Sequence, residues 1–348
     1  MPKKTNLECV QEFAQTVLSI APAIILGSGA SAAHGVPGMA DLARHLRTLP
    51  ADESWSLDEQ REWANFCTEL DAGTDLEAAL HRVRLSERQT QQVVYETRRI
   101  LMRADIQVFE GLLADRNLLP LTRLYRHIFN STHRVVNVVT TNYDRLAEYA
   151  ADVGGYCHFT GFDYGHIQSR SRHAETRIFF GSDVGRTVCV WKVHGSLDWF
   201  RDSADQILAA RSCVDVPDRH RPVMVTPGID KYRLTHGEPF RTIFVRSDSA
   251  LLDARAYLCV GYGFNDEHVQ PKLIERCQTV DVPLLVLTKE LSRTTIDFLR
   301  SGRCRKFLAL DESPTGTRVL GSDFDGSIDL PDQQIWRLDK FLECVLGV

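Results

Sequence analysis

Six short apolar runs, most of them closed by glycine, Thr-Asn or His-Gly, constrain this chain more than any other feature. They are PAIILGSGAS (22–31), RVVNVVTTNYD (134–144), TVCVWKVHGS (187–196), RPVMVTPG (221–228), AYLCVGYGFND (256–266) and VPLLVLTKE (282–290). Val, Ile and Leu follow one another in them with little alternation. That is the pattern of strands covered on both faces, and hence of a parallel sheet between layers of helix. KFLAL (306–310) reads as one more edge strand. The fold class is therefore α/β: a doubly wound, mostly parallel, Rossmann-like sheet. Such sheets bind ligands at the carboxyl ends of their strands, where the polar punctuation falls here.

Residues 41–133 differ. ADLARHLRTL, SLDEQREWANFCTEL and DLEAALHRVRL are helix-like, and no strand pattern interrupts them. They read as a helical insertion over the first half of the sheet. Residues 152–186, rich in Gly, His and aromatics, read as a loop or small β excursion over the site. PDQQIWRLDKFLECVL (331–346) is an amphipathic helix whose Ile335, Leu338, Phe341, Leu342 and Val345 share a face suited to core packing. The expected organisation is one domain over 1–348, with 291–348 supplying a terminal strand and helix.

Composition removes several function classes. A net charge of −5 argues against indiscriminate nucleic-acid binding. No window approaches the roughly 18 unbroken apolar residues of a membrane span, and the first residues lack a signal-peptide core. The nine cysteines are scattered, the nearest two being Cys259 and Cys277, so no CxxC zinc pair exists. Reduced thiols and a cytoplasmic protein are expected. DFDGSID (323–329) groups three aspartates and reads as a surface loop, not a metal site. The arginine-rich stretch 201–222 reads as a solvated or intersubunit face.

Four motifs end strands. In GSGAS, Gly27 and Gly29 permit a tight turn and close backbone approach to a ligand. Ala30 and Ser31 then open a helix whose N–H groups favour an anion. TTNYD (140–144) clusters donors and acceptors, although Asn142 as a helix cap with Asp144 in the first turn explains it equally well. WKVHGS places His194 just past a strand with Gly195 behind it. Lys192, Asp198 and Trp199 flank that histidine, Trp199 being suited to packing. In GYGFND, Gly261 and Gly263 form a second glycine turn, and Asn265 and Asp266 can cap a helix or hold ribose hydroxyls. Each motif is ambiguous alone; what they share is position.

In this order, GSGAS, TTNYD, WKVHGS and GYGFND resemble the sirtuin-like NAD-binding domains of bacterial anti-phage defence proteins. Related deacetylases carry a GAG-type loop, a TQN-D motif, an active-site histidine and a later Gly-Thr-Ser strand end. The resemblance covers about residues 20–290. It implies that Gly27, Ser28, Gly29, Ala30 and Ser31 cradle a pyrophosphate. It further implies that Thr141, Asn142 and Asp144 hold the nicotinamide ribose, with the water or carboxamide beside it. His194 would be the base, and Gly261, Gly263 and Asn265 would line the adenosine side. Two departures matter: the four-cysteine zinc module of the deacetylases is missing, and GVPGMADL (35–42) keeps a proline but lacks their Phe-Arg pair.

The resemblance thus implies an NAD+ glycohydrolase without zinc or other metal, with NAD+ as substrate, not a peptide deacylase. It implies regulation through a homo-oligomer, a small ligand or a HerA-type ATPase partner, with nucleic acid met only indirectly. The alternatives are a subunit that senses NAD or ADP-ribose without turnover, and a nuclease-associated subunit of an ATPase complex.

Overall fold

The computed structural model describes residues 4–171, 178–225, 237–266 and 268–347. In chain order the strands are β1 (Ala23–Leu26), β2 (Val135–Thr140), β3 (Cys157–Phe159), β4 (Ile167–Ser169), β5 (Phe179–Phe180), β6 (Asp183–Val184), β7 (Thr187–Lys192) and β8 (Gly195–Arg201). They continue with β9 (Ile207–Ala210), β10 (Arg221–Met224), β11 (Tyr257–Val260), β12 (Leu284–Leu287), β13 (Phe307–Ser313), β14 (Gly316–Gly321) and β15 (Ser327–Pro331).

Nine of them form one sheet in the order β15-β14-β13-β12-β11-β1-β2-β7-β3. Every pairing from β13 to β3 is parallel; only the β13-β14-β15 meander is antiparallel. The chain starts in the middle with β1, builds outward through β2, then returns past β1 to lay down β11. Ile24 therefore lies between Val138 of β2 and Leu258 of β11. The strand order reverses at β1, which opens a crevice at the carboxyl ends of β1, β2 and β11.

Alternation of side chains across the pleat divides the core in two. Ile24, Leu26, Val138, Leu258 and Leu285 pack against the helices Asn6–Ser19, Pro120–Phe129, Leu146–Val153 and Leu338–Leu346. Ala23, Ile25, Val139, Cys259 and Val286 face Phe240–Asp253, Gln270–Thr279 and Arg293–Arg300. With both faces covered, the central strands need no polar side, hence the near-continuous apolar runs.

Between β1 and β2 the chain forms the helices Met39–Leu46, Leu57–Asp71, Leu76–Arg82, Glu87–Ala114 and Pro120–Phe129, with no strand. Their starts are locally encoded. Ser56 with Glu59, and Ser86 with Gln89, close capping boxes, and Asp75 accepts from the Ala78 N–H.

Other segments depart from expectation. RPVM becomes β10 of a second, antiparallel sheet ordered β10-β8-β9-β4, while 226–228 of that run lie outside the described residues. KFLAL is not an edge strand, because β14 and β15 extend the sheet beyond it. DFDGSID is the turn and first part of a hairpin strand. The last helix starts at Leu338 instead of near 331, yet Ile335, Phe341, Leu342 and Val345 are buried as the spacing suggested. The 152–186 excursion supplies β3 to the main sheet and β4 to the small one, and its residues 172–177 lie outside the described residues.

The 28-residue helix Glu87–Ala114 ties the insertion to the rest through two buried charges. Arg98 donates to the carbonyls of Leu197 (2.9 Å), Val214 (2.8 Å) and Cys213 (2.9 Å). Burial, helped by repulsion from Arg145, lowers its pKa to about 10, so it stays charged at neutral pH. Asp105 accepts from the Arg145 backbone N–H at 2.8 Å, from its guanidinium at 2.5 Å and from the Tyr149 hydroxyl at 2.6 Å. Removing one partner of such a pair leaves an uncompensated charge in the interior. Asp105→Ala should therefore lower unfolding free energy by about 3–5 kcal/mol, read as a lower urea midpoint at an unchanged m-value.

Candidate active site at the strand-order reversal

Three turns meet above β1, β2 and β11. The Gly27 N–H donates to the Val260 carbonyl at 3.1 Å, and the Gly29 N–H donates to that of Gly261, also at 3.1 Å. These turns interlock backbone to backbone. A Cβ on Gly27 would sit 2.3 Å from the Gly261 oxygen, and one on Gly261 only 2.2 Å from the Ala30 nitrogen. Gly261 also has φ +58°, where a side chain is strained. The glycines are thus required by contact between two strand-end turns, whereas the sequence suggested approach to a ligand. The N–H groups of Gly29 and Ala30 are already used, the latter on Gly27 O at 3.0 Å, and neither residue lines the pocket.

A pocket of about 280 Å³ opens beside these turns. The structure brings Gly27, Ser28, Ser31, Thr141, Asn142, Asp144, His194, Gly261, Gly263 and Asn265 into its wall. Asn142 does not cap a helix. Its Nδ2 donates to the Gly27 carbonyl and to Ser31 Oγ, both at 2.9 Å, and its backbone N–H donates to Thr140 Oγ1 at 3.0 Å. Because Gly27 O can only accept, the amide orientation is set, and Oδ1 is left as the side chain's acceptor. The turn after β2 is thereby stitched to the turn after β1.

Asp144 Oδ1 accepts from the Leu146 N–H at 3.2 Å, just ahead of a helix whose cap position, Arg145, makes no side-chain cap bond. Burial pushes its pKa up, against the opposing pull of Lys192 and the Ser31 hydroxyl. Lys192, wholly buried, donates to the main-chain oxygen of Asp144 and lies 3.1 Å from Glu148 Oε1. It holds the turn from behind without entering the pocket. Asp198 accepts from the Ser196 hydroxyl at 2.6 Å, and Trp199 is buried against Phe162 in the core.

His194 sits where β7 ends and β8 begins. Its carbonyl accepts from Val225 N–H at 2.9 Å, and its Nε2 lies 3.0 Å from Asp266 Oδ2. That Nε2 is buried and the contact is off hydrogen-bond alignment. Asp266 Oδ1 accepts from the N–H groups of His268 (3.0 Å) and Val269 (3.1 Å) ahead of the helix Gln270–Thr279. Just before it, Phe264 adopts φ +55°, a strained backbone held by packing against Tyr262 and Phe298.

Several wall residues escaped the sequence reading. Val36, Pro37, Met39 and Leu42 come from the segment noted there only for its proline. Glu77 and Leu101 come from the insertion, where no local motif marks them. Tyr143 and Tyr262 lie inside motifs, and Tyr143 donates to Val225 O at 2.6 Å while burial pushes its ionisation further up. Among the described residues no cluster of His, Cys, Asp and Glu suits a metal ion. All nine cysteines are unpaired thiols. No helix among the described residues is long and apolar enough to cross a membrane.

With this geometry in hand, comparison with known proteins narrows the class. Residues 136–278, which span the turns carrying Asn142, Asp144, His194 and Gly261, match the family model of the SIR2-like domain. Solved structures with a similar chain course include one described as the structural basis for the mechanism and regulation of Sir2 enzymes (13% identity, TM-score 0.44, 86% of this chain and 92% of that one). Others are a Sir2 homologue–NAD complex (13%, 0.41, 81% and 84%) and a mutant Sir2 homologue–ADP ribose complex (14%, 0.40, 82% and 87%). Comparison with curated proteins gives no match.

The raised pKa of Asp144 has a defined sign in stability. The folded state holds the proton more tightly than the unfolded chain, so stability falls as pH rises from the ordinary value of 3.8 through the folded one, and stays lowered above it. Asp144→Asn keeps an acceptor for Leu146 and removes that cost. Its urea midpoint should equal or exceed that of the wild type at pH 7, with the advantage shrinking as pH falls toward 4.

Proposed function

We propose that the chain is an NAD+ glycohydrolase, cleaving the nicotinamide–ribose bond with water to give nicotinamide, ADP-ribose and a proton. The observation that supports this reading most is the meeting of Asn142, Asp144 and His194 in one pocket at the reversal of strand order. The match of that region to the SIR2-like domain adds to it.

Breaking this bond turns a cationic ring into a neutral leaving group and builds positive charge on the ribose. The site must stabilise that charge and place a water on the opposite face. Asn142 spends its Nδ2 on Gly27 and Ser31, so its Oδ1 accepts from the attacking water and orients it. His194 takes the proton released by the water or a ribose hydroxyl. Asp144 offers carboxyl oxygen to the carboxamide of nicotinamide from a position tied to the Leu146 N–H. Asp144, Asp266 and Glu77 all line the pocket, and carboxylates there favour a cationic reactant. Ser28, Thr141, Gly263 and Asn265 border the remaining space, Asn265 from the exposed rim.

An NAD+-consuming enzyme harms its own cell unless held in check. The reading therefore extends to a cytoplasmic effector of anti-phage defence, governed by self-assembly into a homo-oligomer or by a HerA-type ATPase. That context rests on the sequence resemblance.

The test is NAD+ consumption with nicotinamide and ADP-ribose quantified by chromatography, alone and with a co-purified partner. Asn142→Ala and His194→Ala should each lower turnover by about 100- to 10,000-fold while calorimetry still detects NAD+ binding. Binding without turnover under every condition would replace the hydrolase with a sensor.

A further inference from the structure

We infer that Asp266 is a positioning residue for His194: it holds Nε2 of the ring and so makes Nδ1 the nitrogen that exchanges the proton. The inference rests on the hydrolase reading for its consequence, but on geometry for its substance.

Asp266 uses its two oxygens differently. Oδ1 accepts from two consecutive backbone N–H groups, His268 and Val269, which fixes the carboxylate against the start of a helix. Oδ2 is thereby aimed at His194, 3.0 Å from Nε2. An ionised carboxylate can only accept, so a hydrogen bond between them requires the hydrogen on the ring nitrogen. Nε2 is buried, which leaves water no access to it. A neutral imidazole with its proton on Nε2 has its lone pair on Nδ1, the state required of a base. When Nδ1 takes a proton, the ring becomes a cation already facing a carboxylate. The contact is 3.0 Å long but off alignment, so a small turn of either side chain completes the hydrogen bond.

Three of the other titratable groups near the ring are engaged elsewhere. Tyr143 gives its hydroxyl hydrogen to Val225, Asp144 accepts from the Leu146 N–H, and Lys192 is turned to Asp144 O and Glu148. Glu77 reaches the same pocket from the insertion.

The tautomer can be read directly, in the full chain labelled with ¹⁵N-histidine, from long-range proton–nitrogen correlations; His194→Gln assigns the signal. The wild type should carry its proton on Nε2. Asp266→Asn keeps an oxygen for the two backbone N–H groups and should leave the urea midpoint unchanged, yet abolish the Nε2 preference. It should also lower kcat by up to about 10,000-fold, as an Asp-to-Asn change behind a catalytic histidine does by spoiling the tautomer, with KM within about threefold. Nδ1 protonation in the wild type, or an unchanged tautomer in Asp266→Asn, would overturn the proposal. If the wild type never consumes NAD+, the hydrolase reading fails, while the tautomer still decides whether Asp266 governs His194.

Discussion

Contact between the backbones at Gly27–Ala30 and Gly261 is the constraint on which the site depends. The turns after β1 and β11 approach so closely that a methyl group on either side would lie 2.2–2.3 Å from a backbone atom of its neighbour, far inside van der Waals contact. Two adjacent parallel strands can end in turns that touch only if both shed their side chains there. Once they do, Gly27 O is fixed in space, and Asn142 can reach it from the turn after β2. The pocket is thus framed by main chain, and its functional side chains are hung from that frame.

This explains which parts were legible in the sequence. The central strands could be read because burial on both faces removes alternation, and the four motifs because each closes such a strand. The α/β sheet and the gathering of Asn142, Asp144 and His194 followed from that. Where burial is one-sided the reading weakened: β14 alternates buried Thr317, Val319 and Gly321 with half-exposed neighbours, and it was missed as a strand. The start of the last helix was placed too early because Ile335 is buried at a helix-like spacing without being helical.

The glycines were found for an incomplete reason. A glycine pair after a strand signals close approach, but sequence cannot say whether ligand or backbone does the approaching. Likewise capping chemistry was recognised in TTNYD, yet Asn142 binds across turns, Asp144 accepts from the first helical N–H, and the cap position itself falls to Arg145. Glu77, Met39 and Leu101 were invisible because their meaning arises only when the insertion folds back over the crevice.

The clasp between Asp105 and Arg145 has a mechanical consequence. Asp105 grips the main-chain nitrogen of Arg145, and the next residue back is Asp144. The long helix therefore meets the pocket wall directly at Leu101 and again through the peptide link behind Asp144, and Arg98 on the same helix grips the segment after His194 through Leu197. Displacing that helix would break bonds to both walls at once. The helix is thus a shared brace for both sides of the crevice, with Asp105 and Arg98 among its points of attachment.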